Sequence, residues 1–426
     1  MPVELPPPAS DKERPPSPNM IVWLAIFIAF MLIGIAVTLL TWPKNHSTGT
    51  LLFWLRLLAF PAVAWGIVFG LRLHFHDEEH NRRDAEDEMR QADREEAILF
   101  GSEPLAVLGS AYRCAMGTEG VAARILQNES VLAIRQSRSG TATTRHTSLD
   151  IQSDAGHDPK NYAERMRAIF FLLLDDLAAA LQALPSKIPF DVRLQLPAES
   201  PADIGRESML GIWRTCWSER NGRLTETTLL SVDEGLMCLD AWLDFSGGPA
   251  LEKITLIVAV QLHEKPPENS AEAAVAILLG WAPLAERNDL SVEAMLHRPV
   301  AAGPAALNDA FLLSLLWGRT DTSAVKHVWQ TGLLPDEKPA LLKTLPDSAS
   351  DPTSSDRPIR QHDLDIALGY PGTAASWLAV ALATENALQS NTPQLIAVRE
   401  SGLRLAVIQP AGQRHRQETN EMDEQA

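Results

Sequence analysis

The chain has 426 residues, three cysteines and a formal charge of −17 with a pI near 5.1. That balance excludes general affinity for nucleic acid, and for anionic headgroups beyond any anchor, because both demand excess positive charge. The odd, widely spaced Cys114, Cys216 and Cys238 exclude a disulfide framework and fit a reducing compartment.

Met1 to Asn19 is crowded with proline and scattered charge. It cannot build a core, so it is expected as a disordered or polyproline-II tail whose prolines could serve as a ligand. Met20 to Trp42 then carries no charge over 23 residues, and at about 1.5 Å rise per residue it is long enough to cross a bilayer core of about 30 Å. A signal peptide is a poorer reading, since the run is too long and no small-residue cleavage pattern follows. Leu51 to Leu73 forms a second span, with Arg56 near enough its end to reach the interface.

The connector, residues 43–50, permits only a tight reversal, so residues 20–42 and 51–73 are expected to form an antiparallel transmembrane hairpin. Trp23, Trp42 and Trp54 stand near span ends, where indoles favour the headgroup layer. Ala62, Gly66 and Gly70 make a small-residue face for helix packing, against the first span or another subunit, and Pro61 introduces a kink. Lys12, Arg14, Lys44, Arg72, Arg82 and Arg83 flank the spans in a pattern that puts both ends of the chain in the cytoplasm.

Residues 74–100 are expected to be a charged helical stalk, with opposite charges four apart at Glu78/Arg82, Glu79/Arg83 and Glu86/Arg90. His74, His76 and His80 open it and are the weak candidates for a metal site; a solvated face is the plainer reading.

Residues 101–410 are long enough for one large body or two intimately packed halves, and their periodicity alternates. Leu105 to Leu108 and Phe190 to Leu196 read as strands, Ala163 to Leu184 as helix. Leu251 to Leu262 reads as a strand with Ile254, Leu256, Val258 and Val260 on one face. Leu307 to Trp317 and Ala374 to Leu388 read as helices, and Gln394 to Val398 with Arg404 to Ile408 as a hairpin closed at Glu400-Ser401-Gly402. The fold class is α/β, layered. Ser348 to Arg360 is an exposed loop that could hold a partner, and residues 411–426 form a disordered tail.

Leu368 to Pro393, a glycine-and-alanine turn running into a buried helix, resembles a segment of the thiolase and β-ketoacyl synthase superfamily. Ser270 to Leu279 and Pro104 to Gly117 are similar to that family's small-residue segment and opening strand. The resemblance implies a thiolase-like domain, possible homodimerisation and, in active members, a cysteine nucleophile with histidines. Here the region of that cysteine reads Arg206 to Trp213, and the histidine before the C-terminal helix is absent at Gly369-Tyr370. His362 lies seven residues too early, in a polar loop, and His327 is expected at a surface. Cys216, between Thr215 and Trp217, is the weak catalytic candidate and more simply a structural thiol. Asp233/Glu234 and Asp240/Asp244 are possible carboxylate pairs, though acids so spaced are usually solvated or capping.

The resemblance with its departures implies a non-enzyme: a membrane-anchored thiolase-like adapter or scaffold in a bacterial inner membrane, holding a protein partner without a cofactor. The region around Pro197 to Ser200 looks like accessory proteins of type VI secretion that load effectors. The alternatives are an acyl-transfer enzyme using Cys216 and a structural subunit of an envelope complex.

Overall fold

The computed structural model describes residues 3–7, 19–43, 49–138, 140, 143–151, 159, 161–197, 205–221, 223–231, 234–245, 247–303, 306–345 and 359–413. Most of the proline-rich tail, Lys12, Arg14, Lys44, Asp233, the proposed secretion-like residues 198–200, and most of the 348–360 loop and of the C-terminal tail lie outside the described residues. Two compact units are present, residues 4–97 and the body from residue 98 onward.

In the first unit, α1 (Met20–Thr41) is followed by α2 (Leu51–Trp54), a π-helical turn (Leu55–Ala59) and α3 (Phe60–Gly101). Two helices, Met20–Thr41 and Leu51–Gly101, are long and apolar enough to cross a membrane. They pack antiparallel: the Trp65 indole donates to the Trp23 carbonyl at 3.2 Å, Phe27 meets the Trp65 ring edge-on, and the Thr38 hydroxyl lies 3.3 Å from the Arg56 carbonyl. Closest approach is at Gly34, where a Cβ would fall 2.0 Å from the Pro61 ring. Gly66 and Gly70 have nothing within 4 Å of a Cβ position, so the small-residue face does not pack on α1. Aromatic rings on the neighbouring stripe of α3, Trp65 and Phe69, take that interface.

Along the stalk portion of α3, Glu79 pairs with Arg83 at 2.8 Å, while Arg82 turns to Glu86 at 3.0 Å and Arg90 to Asp87 at 3.7 Å. The His76 and His80 rings lie 4.6 Å apart and His76 faces Asp77. His74 stands outside this pair beside Phe75, and among the described residues no group of three or more metal-ligating side chains converges. The three histidines cannot face one ion because positions 74 and 76 point to different sides of a helix.

The second unit contains, in order, β1 (Leu105–Arg113), α4 (Val121–Leu126), β2 (Ala133–Gln136), β3 (Thr143–Thr147), α5 (Tyr162–Asp176), α6 (Ala178–Ala183), β4 (Phe190–Gln195), α7 (Arg206–Arg220), β5 (Glu226–Leu229) and α8 (Met237–Leu243). Then come β6 (Ile254–Gln261), β7 (Ser270–Ala271), β8 (Ala273–Trp281), α9 (Ala282–Arg287), β9 (Ala294–Leu296), β10 (Val300–Ala302) and α10 (Leu307–Trp317). The chain closes with β11 (His327–Thr331), α11 (Glu337–Thr344), β12 (Arg360–Asp363), α12 (Leu364–Ala367), α13 (Ala375–Ser390), β13 (Gln394–Arg399) and β14 (Leu403–Pro410).

The strand order is β5-β4-β6-β8-β1 in the first half and β12-β11-β13-β14-β9 in the second. Numbered within its own half, each set runs third, second, fourth, fifth, first. Each has three parallel neighbours followed by two antiparallel steps. The halves are therefore structural repeats, joined where β1 pairs with β9.

Side-chain alternation on β6 sorts the layers. Ile254, Leu256, Val258 and Val260 pack on one face with α5 and α7, whereas Ile257 and Ala259 face the other way, toward α8 and α13. From the opposite side α13 also receives Trp329, Ile396, Val398, Ala406 and Ile408 of the second half. Helix α10 covers that half's outer face, with Gly318 resting on Val407. The result is five layers, helix, sheet, helix, sheet, helix, with α8 and α13 in the middle.

Two buried polar groups give this packing testable energetics. Arg298 is 1 % exposed and bonds Asp240 at 2.8 Å and Asp244 at 2.6 Å. Both acids thus serve a buried guanidinium, Asp240 buried and Asp244 partly exposed, and burial raises the Asp240 carboxyl above its ordinary range while Arg298 opposes the rise. Removing the guanidinium leaves a buried acid unpaired, so Arg298→Met is expected to cost about 3–5 kcal/mol in urea unfolding, with Asp240→Asn recovering part of the loss.

His297 is fully buried, and burial lowers its imidazole from 6.5 to about 4. Between those values the unfolded chain takes up a proton that the fold refuses, so stability falls as pH drops from 6.5 toward 4. His297→Gln should flatten that dependence when urea midpoints are compared at pH 7 and pH 5.

Candidate functional site

Beyond the carboxyl ends of parallel strands, chain segments leave the sheet and backbone groups become free to meet a ligand. In this fold such ends from both halves converge on the N-terminus of α13. From the first half, Gln261 at the end of β6 accepts from the Thr373 amide at 3.0 Å and its hydroxyl at 2.9 Å. Gln195 at the end of β4 accepts from the Trp377 indole at 2.6 Å. From the second half comes Glu400, immediately after β13, whose Oε1 accepts from the Ser376 hydroxyl at 2.6 Å and the Leu236 amide at 2.8 Å.

Glu400 is the chemically distinctive member. Its Oε2 is buried with no hydrogen-bond partner among the described residues. Burial raises its carboxyl above the usual range, opposed by Ser376, the Leu236 amide and Arg404. A carboxyl so perturbed can exchange a proton closer to neutral pH than a solvated glutamate can.

Asp365, in α12, reaches this region through Gly332, whose Cβ position lies 3.2 Å from the Arg399 carbonyl that precedes Glu400. It accepts from the Thr331 hydroxyl at 2.7 Å and the Gly332 amide at 2.8 Å, and burial raises it as well. Tyr370 completes the set: it is 41 % exposed, and partial desolvation of its hydroxyl, then the charges of Asp365 and Glu400, push its phenol up. At neutral pH it is a hydroxyl donor rather than a phenolate.

Two glycines make the cluster sterically possible. Gly235 has φ +40°, and a Cβ there would fall 1.9 Å from Glu400 Oε1. Gly332 has φ +72°, with the Tyr370 ring 3.1 Å from its Cβ position and the Arg399 carbonyl at 3.2 Å. Only glycine tolerates both the left-handed backbone and the close approach.

The residues expected to act from sequence lie elsewhere. Cys216 has no exposure, sits on α7 in the outer layer, and points its sulfur at the Arg167 carbonyl, 3.8 Å away. Burial pushes its thiol up to about 11, and does the same to Cys114, to about 11, and to Cys238, to about 12. A nucleophilic thiolate needs the opposite environment. Cys216 is a buried thiol of the core. His362 is not in a polar loop: it is buried on β12, 4.9 Å from the Trp329 ring, and hydrogen-bonded to His327 at 3.0 Å. Glu234 accepts from the Ser231 amide at 2.8 Å, a turn-capping role.

No protein-family model matches the sequence, and no curated protein does. Solved structures share the fold. A ketosynthase of the bacillaene polyketide synthase of Bacillus amyloliquefaciens is 11 % identical, with a TM-score of 0.53 over 73 % of this chain and 74 % of that one. An oxazolomycin ketosynthase domain of Streptomyces albus is 14 % identical, with a TM-score of 0.52 over 72 % and 76 %. The ketosynthase of module 1 of the bacillaene synthase of Bacillus amyloliquefaciens is 14 % identical, with a TM-score of 0.52 over 73 % and 76 %.

The fold is thus thiolase-like, of the ketosynthase kind. This finding overturns the expectation of a non-enzyme: the structures that share the architecture are ketosynthases, and the inference of lost catalysis rested on single positions in the linear sequence. It took no account of Glu400, Asp365 and Tyr370, which only the fold brings together.

Gly235→Ala is expected to push the Glu400 carboxyl off both of its donors and to cost about 1–3 kcal/mol in urea unfolding. Gly211→Ala, mid-helix with open space at its Cβ position, should be neutral or stabilising by about 0.5–1 kcal/mol.

Proposed function

We propose that this chain is an acyl-directed enzyme on a thiolase-like fold, and that Glu400 moves a proton at the carbon beside an acyl thioester carbonyl. The observation that carries this reading is the Glu400 carboxyl itself, buried, raised, and held by Ser376 and Leu236 with one oxygen free. Glu400 in its ionised form takes the proton from the α-carbon, the electron pair moves onto the carbonyl oxygen as an enolate, and the same carboxyl returns a proton. Tyr370, kept protonated, is the hydroxyl suited to meet the enolate oxygen. Asp365 holds the Thr331–Gly332 turn beneath the Tyr370 ring and acts as a positioning residue. The acyl class is supported by the structural neighbours, which are ketosynthases, and the buried cysteines support chemistry without an acyl-cysteine.

The two apolar helices support membrane attachment, with both ends on the cytoplasmic face of a bacterial inner membrane as the proposed arrangement. Nothing observed favours effector loading for type VI secretion over acyl chemistry.

The test is deuterium exchange. Full-length protein in lipid nanodiscs, incubated with butyryl thioester in heavy water, should place deuterium at the α-carbon as read by mass spectrometry. Glu400→Gln should slow this by about 10²–10⁴-fold, while Cys216→Ala leaves it unchanged. Exchange that survives Glu400→Gln but is lost in Cys216→Ala would reverse the assignment. A reporter fused after Ala426 is expected to read cytoplasmic; a periplasmic signal would refute the orientation.

A further inference from the structure

Beyond the end of β1 lies a cavity of about 270 Å³ that shares no residue with the Glu400 cluster. Its volume equals that of roughly nine liquid waters, room for a small organic molecule of about eight heavy atoms. Leu172 of α5, with Met116, supplies apolar wall. Cys114 also lines it, and with its thiol pushed up to about 11 it is neutral and acts as further apolar surface.

The charged groups on the same wall differ in how they are satisfied. Arg113 is gripped by both oxygens of Asp176, at 2.8 and 2.7 Å, so its charge is balanced within the protein. Arg135, exposed on β2, has no ion pair among the described residues and carries an uncompensated guanidinium on the cavity wall. A guanidinium presents paired donors that match a carboxylate. Asp150 lines the same wall, and its charge penalises a ligand with a second negative charge. Apolar wall, one free guanidinium and one nearby carboxylate together select a monoanion with a short apolar tail.

We propose that this cavity binds a monoanionic amphipath, a carboxylate on a short aliphatic chain, with the carboxylate on Arg135 and the tail against Leu172 and Met116. Binding here is independent of whether Glu400 is catalytic.

The experiment is equilibrium dialysis of radiolabelled hexanoate against full-length protein in lipid nanodiscs, with empty nanodiscs as the blank. Saturable binding near one per chain is expected, weakened about tenfold or more by Arg135→Gln, the loss of a charge-assisted bond. Arg135 is exposed, so that variant keeps its fold; circular dichroism melting checks this. Leu172→Trp, which fills the cavity, should also weaken binding, and unlabelled hexanol should compete poorly. Absence of saturable binding, equal binding by the Arg135→Gln variant, or displacement by hexanol or inorganic phosphate as effectively as by hexanoate would overturn the proposal.

Discussion

The architecture depends on one helix that has no polar face. From Ala375 to Ala387, α13 is buried almost without interruption, because alanines recur around its circumference among Trp377, Leu378, Val380 and Leu382. A helix apolar on all sides must be surrounded, and the surrounding elements are the two sheets of the repeated halves. Small side chains let both sheets approach at once; larger residues at the same positions would hold them apart. The Thr384 hydroxyl is buried without a hydrogen-bond partner among the described residues, but Asn386 donates to Gln394, which also receives the Trp329 indole. Burial at this depth is compatible with stability because those groups keep their hydrogen bonds.

Placing that helix between two sheets also decides where chemistry can occur. Its N-terminus meets strand ends from both halves: Gln195 at one end bonds Trp377 in its first turn, and Gln261 at another bonds Thr373 just before it. Glu400 arrives from the other half and is trapped against Gly235. A carboxyl brought into such a place loses water on most sides and retains few donors, so its proton affinity rises. The same desolvation that would be a cost in a structural acid is what makes Glu400 suited to proton transfer. By contrast, Asp240 and Asp244 face an internal guanidinium and hold the core instead.

Much of the fold was legible in the chain. The alternation in Leu251 to Leu262 gave one face of β6, Ile254, Leu256, Val258 and Val260, and the closing hairpin at Glu400-Ser401-Gly402 matches the β13–β14 pairing. The helix at Leu307 to Trp317 has the expected bounds. Short strands such as β5, β9, β10 and β12 escaped notice because three or four residues carry too little periodicity. The internal repeat was hidden for a related reason: strand order is a property of pairing rather than of residue pattern.

The site was far less legible. Glu400 reads in sequence as an ordinary turn residue, and Asp365 as one acid among several near a polar loop; neither carries a local signature. Their partners, Leu236, Ser376, Thr331 and Gly332, come from segments far apart in the chain. The cysteines drew attention because their chemistry is conspicuous, yet conspicuous chemistry needs solvent and a favourable charge environment, and all three are buried. Isolated glycines next to Glu234 and Thr331 were the only local hints of close approach. The central assignment rests on one acid, so a carbon-13 carboxyl titration of Glu400 in the full-length protein tests it most directly. A midpoint above the ordinary glutamate value of 4.5 is expected, and a midpoint at or below that value would contradict the role given to Glu400.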